Sequence, residues 1–206
     1  FIYFYQMIPI KETFLSFQGE GYFAGQASYF IRTQGCDIGC HWCDEPASWE
    51  FKSGINQSLS NILKDIKKSN VKNVIVTGGE PLIHDLSNLT NEISKNNFSL
   101  HLETSGSYAL TGNWNWITLS PKKIRPPLKS IYSHTSELKV VIYNNKDFEW
   151  ALEQERNISK FNNDCLLYLQ PEWSRKEIMQ QQILDFISKN PRWKLSLQMH
   201  KYLNVK

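Results

Sequence analysis

The stretch ASYFIRTQGCDIGCHWCD, Ala27–Asp44, sets the frame for the whole chain. Its first seven residues, Ala27–Thr33, are rich in aromatic and β-branched side chains and read as a first strand. The strand runs straight into a loop that carries Cys36, Cys40 and Cys43. Further along, Asn73–Thr77 (NVIVT) is short and continuously apolar, as buried parallel strands are, and it too runs into a glycine turn, Gly78-Gly79-Glu80-Pro81. Between the two, Ser58 is an N-cap for a helix over Leu59–Ser69, which places Leu59, Ile62, Leu63 and Ile66 on one face.

Outward from this unit the alternation continues. Helices are predicted over Leu86–Asn96, around Asp147–Arg156, and over Lys176–Asn190 up to Pro191. Strands are predicted at Ser99–Thr104, Trp116–Leu119, Leu138–Tyr143, Leu166–Gln170 and Lys194–Gln198. Strands alternating with helices imply an α/β fold with a parallel sheet. Between Ser105 and Leu138 the helical signal is poor, so the second half should hold fewer helices than a regular barrel. No linker or repeat divides the chain, and residues 1–206 are expected to form one domain. Met7 reads as a possible native start, with Phe1–Gln6 an upstream extension.

The polar motifs follow strand ends: Gly35–Asp44, Gly78–Pro81, Thr104–Gly106, Ser120–Lys122 and Gln170–Glu172. In parallel α/β folds those ends share one mouth, so the motifs point to a single site. A net charge of +3 is too mild to argue for nucleic acid. No apolar run approaches the roughly 20 residues of a membrane span, and the first residues lack the basic start of a secretory signal. The cytoplasm is the expected compartment, with no membrane partner.

Three cysteines crowded into eight residues point to metal rather than to disulfides, which distribute along a secreted chain. Thiolates are the preferred ligands of iron–sulfur clusters, and three of them around a [4Fe–4S] cube leave one iron open. Gly35 and Gly39 let the backbone turn around such a cube, and Trp42 would shield it. A structural zinc site is the alternative; it wants a fourth ligand, which His41 or Asp44 would have to supply. The fourth cysteine, Cys165, precedes an apolar strand and reads as core.

Cys36-x3-Cys40-x2-Cys43 after one strand, with Gly78-Gly79-Glu80-Pro81 after the next, resembles the radical S-adenosylmethionine (SAM) superfamily. The resemblance implies that the open iron holds the amino and carboxylate groups of SAM. One electron then cleaves the sulfonium to give a 5′-deoxyadenosyl radical that abstracts hydrogen.

From about Ile10 to the C-terminus the chain is similar to one family within it, 7-carboxy-7-deazaguanine synthase. The similarity rests on Phe14-x-Ser16-Phe17-Gln18-Gly19-Glu20-Gly21, Phe30-x-Arg32-x-x-Gly35-Cys36 and His41-Trp42-Cys43-Asp44. It continues through Thr77–Pro81, Glu103–Gly106, Ser120–Lys122, Gln170–Glu172 and Ser196–Asn204. Taken singly, most of these are ordinary turns or loops; their order is what is specific. The family implies a modified, incomplete radical SAM (β/α) barrel that contracts the ring of 6-carboxy-5,6,7,8-tetrahydropterin to 7-carboxy-7-deazaguanine with loss of ammonia. The resemblance also implies that SAM acts as a true cofactor, that Mg2+ is needed, that the assembly is a homodimer, and that an electron donor such as flavodoxin or ferredoxin is required.

By the same resemblance Trp42, Cys43, Asp44, Gly79, Glu80, Ser120, Pro121, Lys122, Gln170, Pro171, Glu172 and Trp173 fall at SAM-binding positions. Phe17, Gln18, Gly19, Arg32, Thr77 and Lys206 fall at substrate-binding positions. An amide such as Gln18 can both donate to and accept from a pterin edge, and a guanidinium such as Arg32 can clamp a carboxylate with two parallel bonds. His41, His84, His101 and His134 keep a structural reading. Two positions depart from the family pattern. Glu45 stands where Thr or Ser commonly helps bind Mg2+, and Lys206 where many members end in proline. Two other functions compete: an activase that makes a glycyl radical on a partner protein, and a zinc-structured RNA- or protein-binding module. The Gln18–Gly21, Ser120–Lys122 and C-terminal motifs argue against the first; colour separates the second, since a zinc protein is colourless.

Overall fold

Side-chain alternation along parallel strands divides one sheet into two unlike faces. The computed structural model describes residues 8–52 and 54–206; the expected start at Met7 and the stretch Phe1–Gln6 lie outside the described residues. Its strands are β1 (Pro9–Phe17), β2 (Ala27–Thr33), β3 (Ile55–Asn56), β4 (Asn73–Gly78), β5 (Ser99–Thr104), β6 (Trp116–Leu119), β7 (Glu137–Ile142), β8 (Leu166–Pro171) and β9 (Trp193–Leu195). Its helices are α1 (Leu59–Lys68), α2 (Ser87–Ser94), α3 (Lys146–Ile158), α4 (Lys176–Lys189) and α5 (Met199–Leu203). The strands form one sheet in the order β3-β1-β2-β4-β5-β6-β7-β8-β9. Every pair from β2 to β9 is parallel.

One face is apolar. Val74, Val76, Leu100, Leu102, Leu119, Leu138, Val140, Leu167 and Leu169 pack there against Ile62 and Ile66 of α1, Leu89 and Ile93 of α2, Ala151 and Ile158 of α3, and Met179 and Ile183 of α4. The predicted stripe on α1 is the stripe that packs, and the Ser58 hydroxyl accepts from the Asn61 N–H as its cap. The sheet ends at β3 and β9 in open order, so it makes an incomplete barrel. Between β5 and β7 the helical content is only a short 3-10 segment, Lys129–His134, as the weak periodicity there predicts.

Two expectations need correction. Ala27–Thr33 is not the first strand: β1 precedes it and pairs with it antiparallel, as does β3 with β1. Lys11, Glu12, Thr13 and Ser16 interrupt the apolar pattern of β1, which is mostly half-buried, so its periodicity is faint. The final strand ends at Leu195, not Gln198, because the Ser196 and Gln198 side chains turn into the protein and α5 follows. No helix among the described residues is long and apolar enough to cross a membrane.

Candidate active site

The cysteine loop is fastened to the glycine turn after β4. The Glu80 N–H donates to the Gly35 carbonyl (3.0 Å), and the Gly79 N–H donates to the Thr33 carbonyl (3.2 Å). A side chain at Gly79 would run into the Gly35 backbone and Cys36, so glycine there is required by the close approach of the two motifs. Gly35 and Gly39 both take positive φ, 104° and 69°, and turn the loop as expected. The loop is also held by Gly35 N–H to the Ser48 carbonyl (2.7 Å) and by the Trp49 indole N–H to Cys43 Sγ (3.3 Å).

Cys36, Cys40 and Cys43 are partly buried, unpaired in any disulfide, and line one cleft of about 920 Å3. Burial raises the Cys36 thiol above its ordinary range, and burial outweighs Lys122 to do the same at Cys40. Among the described residues no three His, Cys, Asp or Glu side chains meet to hold a single ion. Soft thiolates, a cramped glycine-lined loop and open space in front of it fit a [4Fe–4S] cluster.

The inner face of the sheet mixes polar side chains with Phe30, Ile75 and Val141, and its polar side chains form the rest of this cleft. Register pairs Arg32 with Thr77, Glu103 with Thr118, and Val141 with Gln170. Ser120 and Lys122 also reach the cleft, with the Lys122 ammonium donating to Ser120 Oγ (2.6 Å); burial lowers its pKa. Glu80 lines the cleft but is only 1% exposed. Its carboxylate accepts from Thr104 Oγ1 (2.5 Å), Leu82 N–H (3.1 Å), Ser105 N–H (2.8 Å) and Ser105 Oγ (2.5 Å), so it ties β4 to β5.

Deeper in, Lys139 ion-pairs with Glu20 and with Glu103 (3.2 Å). Burial opposes its charge, but Glu103, Glu20 and Glu137 win and raise its pKa. Burial likewise opposes ionisation of Glu20, yet Lys139 brings it down to about 2. Glu103 is raised by burial and by Glu20, only partly offset by Lys139. Among the described residues Glu137 has no direct ion pair, and burial pushes it up to about 7. Sequence reasoning gave none of these four a role. A signal was present: Glu137 and Lys139 alternate with Leu138 and Val140 in a buried strand, so both charges must face one side.

A second chamber of about 690 Å3 adjoins the first and shares Glu20, Arg32, Asp44, Thr77 and Glu103 with it. Phe17, Gln18, Gly19, His200 and Lys206 line it. The Gln18 amide donates to Glu103 (3.0 Å) and accepts from the Glu20 N–H (3.2 Å). Arg32 lies over the Phe14 ring and donates from Nε to Glu12 (3.1 Å). Lys206 pairs with the same Glu12, and its backbone carbonyl accepts from Ser16 Oγ (2.5 Å). Glu45 lines the first chamber. Pro121, Pro171, Glu172 and Trp173 line neither chamber; Glu172 caps the turn Trp173–Arg175 by accepting from Ser174. Cys165 is buried in the core, with its thiol pushed up to about 12 by burial. His84 contacts the Gln34 carbonyl (2.7 Å), and burial lowers His101 to about 4.

Residues 30–137 match the family model described as the radical SAM superfamily. The open parallel sheet and the cysteine-lined cleft are those of a radical SAM protein. The chain is 46% identical over 97% of its length to a 7-carboxy-7-deazaguanine synthase of Flavobacterium psychrophilum, covering 93% of that protein. It is 44% identical over 96% of its length to the synthase of that name from Synechocystis sp., again covering 93%. The crystal structure of QueE from Escherichia coli superposes with a TM-score of 0.78 at 32% identity, over 94% of this chain and 95% of that one. This chain belongs to the 7-carboxy-7-deazaguanine synthase family.

Proposed function

We propose that this chain contracts the ring of 6-carboxy-5,6,7,8-tetrahydropterin to 7-carboxy-7-deazaguanine with release of ammonia, in queuosine and deazapurine biosynthesis. The observation that carries this reading is the continuity of the two chambers. The three thiols open onto one end, and the family's substrate positions line the other.

Cys36, Cys40 and Cys43 would hold the [4Fe–4S] cluster and leave one iron for SAM. When bound, cluster and SAM supply one-electron chemistry that ends in hydrogen-atom abstraction. The chain's own residues place the substrate for it. Arg32 offers a guanidinium whose terminal nitrogens can meet a carboxylate while Nε stays on Glu12. Thr77, beside Arg32 in register, and Phe17, Gln18, Gly19 and Lys206 complete the substrate wall. Trp42, Asp44, Gly79, Glu80, Ser120, Lys122 and Gln170 surround SAM; Pro121, Pro171, Glu172 and Trp173 support it by shaping the backbone nearby. Lys139 keeps Glu20 ionised as an acceptor beneath both ligands. Glu45 is the candidate Mg2+ ligand. A homodimer in the cytoplasm, reduced by flavodoxin or ferredoxin, completes the reading.

The experiment is anaerobic reconstitution, then incubation with SAM, Mg2+, a reductant and carboxytetrahydropterin, with products read by mass spectrometry. Formation of the deazaguanine supports the reading; SAM cleavage with the pterin unchanged overturns it.

A further inference from the structure

One buried side chain bridges Glu20 and Asp44, the two carboxylates that line both chambers. Gln198, 5% exposed, lies just before α5. Its amide nitrogen has two hydrogens and two carboxylate acceptors within reach. It donates to Asp44 Oδ2 (2.8 Å) on the cysteine loop and to Glu20 Oε1 (3.1 Å) on the β1–β2 connection. The surrounding bonds fix both ends. Lys201 pairs with the other oxygen of Asp44. Gln170 donates to Glu20 Oε1 (3.1 Å), and Lys139 pairs with Oε2. The backbone around Gln198 is tied to the substrate segment, since the Met199 N–H donates to the Gly19 carbonyl (2.9 Å). Its neighbour Ser196 joins the same web, accepting from the Gly21 N–H (3.0 Å) and donating to Gln170 Oε1 (2.9 Å).

We propose that Gln198 is a positioning residue that couples the SAM side of the cleft to the substrate side, by holding Asp44 and Glu20 on one amide nitrogen. This rests on the reading of the two chambers given above. Asp44 has a half-exposed side chain on a glycine-rich loop, and its place is set by the two donors from the C-terminal segment. Glu20 and Asp44 line both chambers. A ligand that settles Glu20 therefore settles Asp44 through the shared donor, and the reverse holds by linkage. A group that merely filled space here would affect each ligand separately and leave their coupling alone. A carboxylate at this position would set three anionic groups together, so the site is matched to a donor and not to an acceptor.

The test uses the cluster-loaded enzyme without reductant, so that SAM binds but is not cleaved. SAM affinity is measured by calorimetry with and without saturating carboxytetrahydropterin. In the wild type, substrate should tighten SAM binding by roughly tenfold, within the usual range of site-to-site coupling. Gln198→Leu keeps the bulk and loses both donors; Gln198→Asn keeps an amide one methylene too short to span. Both should bring the factor to about 1–2, with each ligand alone binding within about threefold of wild type. Gln198→Lys retains donors long enough to reach both carboxylates and should keep most of the coupling. If Gln198→Leu does not load a cluster, the Asn and Lys pair decides. Wild-type coupling preserved in Leu or Asn overturns the proposal, as does a wild type without coupling. Turnover of the wild type, run in parallel, judges the reading of the reaction on its own, because coupling is read from binding alone.

Discussion

The cysteine loop and the charged inner face of the sheet are built in opposite ways. The loop carries its three thiols within eight contiguous residues, placed by local turns and by Gly39 inside and Gly35 just before that stretch, both in positive φ. The inner face is assembled across the sheet: Glu103 comes from β5, Glu137 and Lys139 from β7, Gln170 from β8, and Glu20 from the β1–β2 connection. The loop is chemically autonomous, in that its ligands suit one cluster whatever lies behind them. The inner face works only as a set, since Lys139 offsets several carboxylates at once. Changes in the loop should therefore remove a chemistry, whereas changes in the inner face should destabilise or misplace.

The largest effect tests the loop. Cys36→Ala, Cys40→Ala and Cys43→Ala should each abolish reductive SAM cleavage, with iron content falling in step, while Cys165→Ala leaves both intact. Stoichiometric zinc and no iron after anaerobic reconstitution would remove the loop's side of the comparison altogether.

On the inner face, Lys139→Met should cost about 3–5 kcal/mol of stability, the usual result of leaving buried carboxylates without their cation. Denaturant unfolding of the apoprotein measures it; a loss under about 1 kcal/mol would mean that water already compensates Glu20 and Glu103. Glu137 gives a pH signature. Its folded pKa of about 7 lies above its ordinary value of 4.5, because burial disfavours the charge. As pH rises from 4.5 to 7 the unfolded chain loses this proton and the folded one keeps it, so stability falls across that window. The full penalty, reached above pH 7, is on the order of 3 kcal/mol. Glu137→Gln should flatten the fall. Parallel stability curves for the two proteins between pH 5 and 8 would contradict the buried, protonated carboxyl.

The same contrast explains what was legible in the sequence. A contiguous motif survives in one dimension, so Cys36–Cys43 and Gly78–Pro81 are legible directly, and so are the short apolar strand Asn73–Thr77 and the alternation of strands with helices. The charged set could not be assembled that way, because its members are separated by up to 119 residues, as in Lys139–Glu20. Only the alternation of Glu137 and Lys139 within an apolar strand hinted at it. The edge strand β1 was missed for a related reason: half-exposed on both faces, it carries no clean period. Arg32, Thr77 and Lys206 stand out in the sequence only through family resemblance, and all three line the second chamber.

Arg32 stands between the two regions, and a smaller effect is expected there. Arg32→Lys should weaken substrate binding by roughly tenfold, because an ammonium cannot reproduce the planar fork, while SAM affinity changes little. Equal losses for both ligands would show that Arg32 belongs to the shared framework and not to the substrate wall.

The smallest effect concerns Glu45, the one residue of the loop region that departs from the family pattern beside the cysteines. Its backbone is fixed: φ is −133° and ψ 62°, Pro46 follows, and its carbonyl accepts from the Ser48 N–H (3.0 Å) and Ser48 Oγ (2.7 Å). Its side chain makes no cap bond to the turn it precedes, and it lines the first chamber. Mg2+ takes hard oxygen ligands in octahedral geometry and keeps several waters, so one carboxylate with substrate oxygens and water is sufficient. A carboxylate brings a full negative charge where a hydroxyl brings a dipole, but its extra length sets the ion farther from the backbone. Glu45→Ala should accordingly raise the Mg2+ concentration for half-maximal turnover severalfold without changing cluster content. Glu45→Thr should fall between, since the shorter hydroxyl restores an oxygen but not the charge. A Mg2+ titration of the three proteins at fixed SAM and substrate separates these outcomes. Superimposable curves would place the ion elsewhere, and would leave Glu45 on the structural side of a loop that otherwise serves the chemistry.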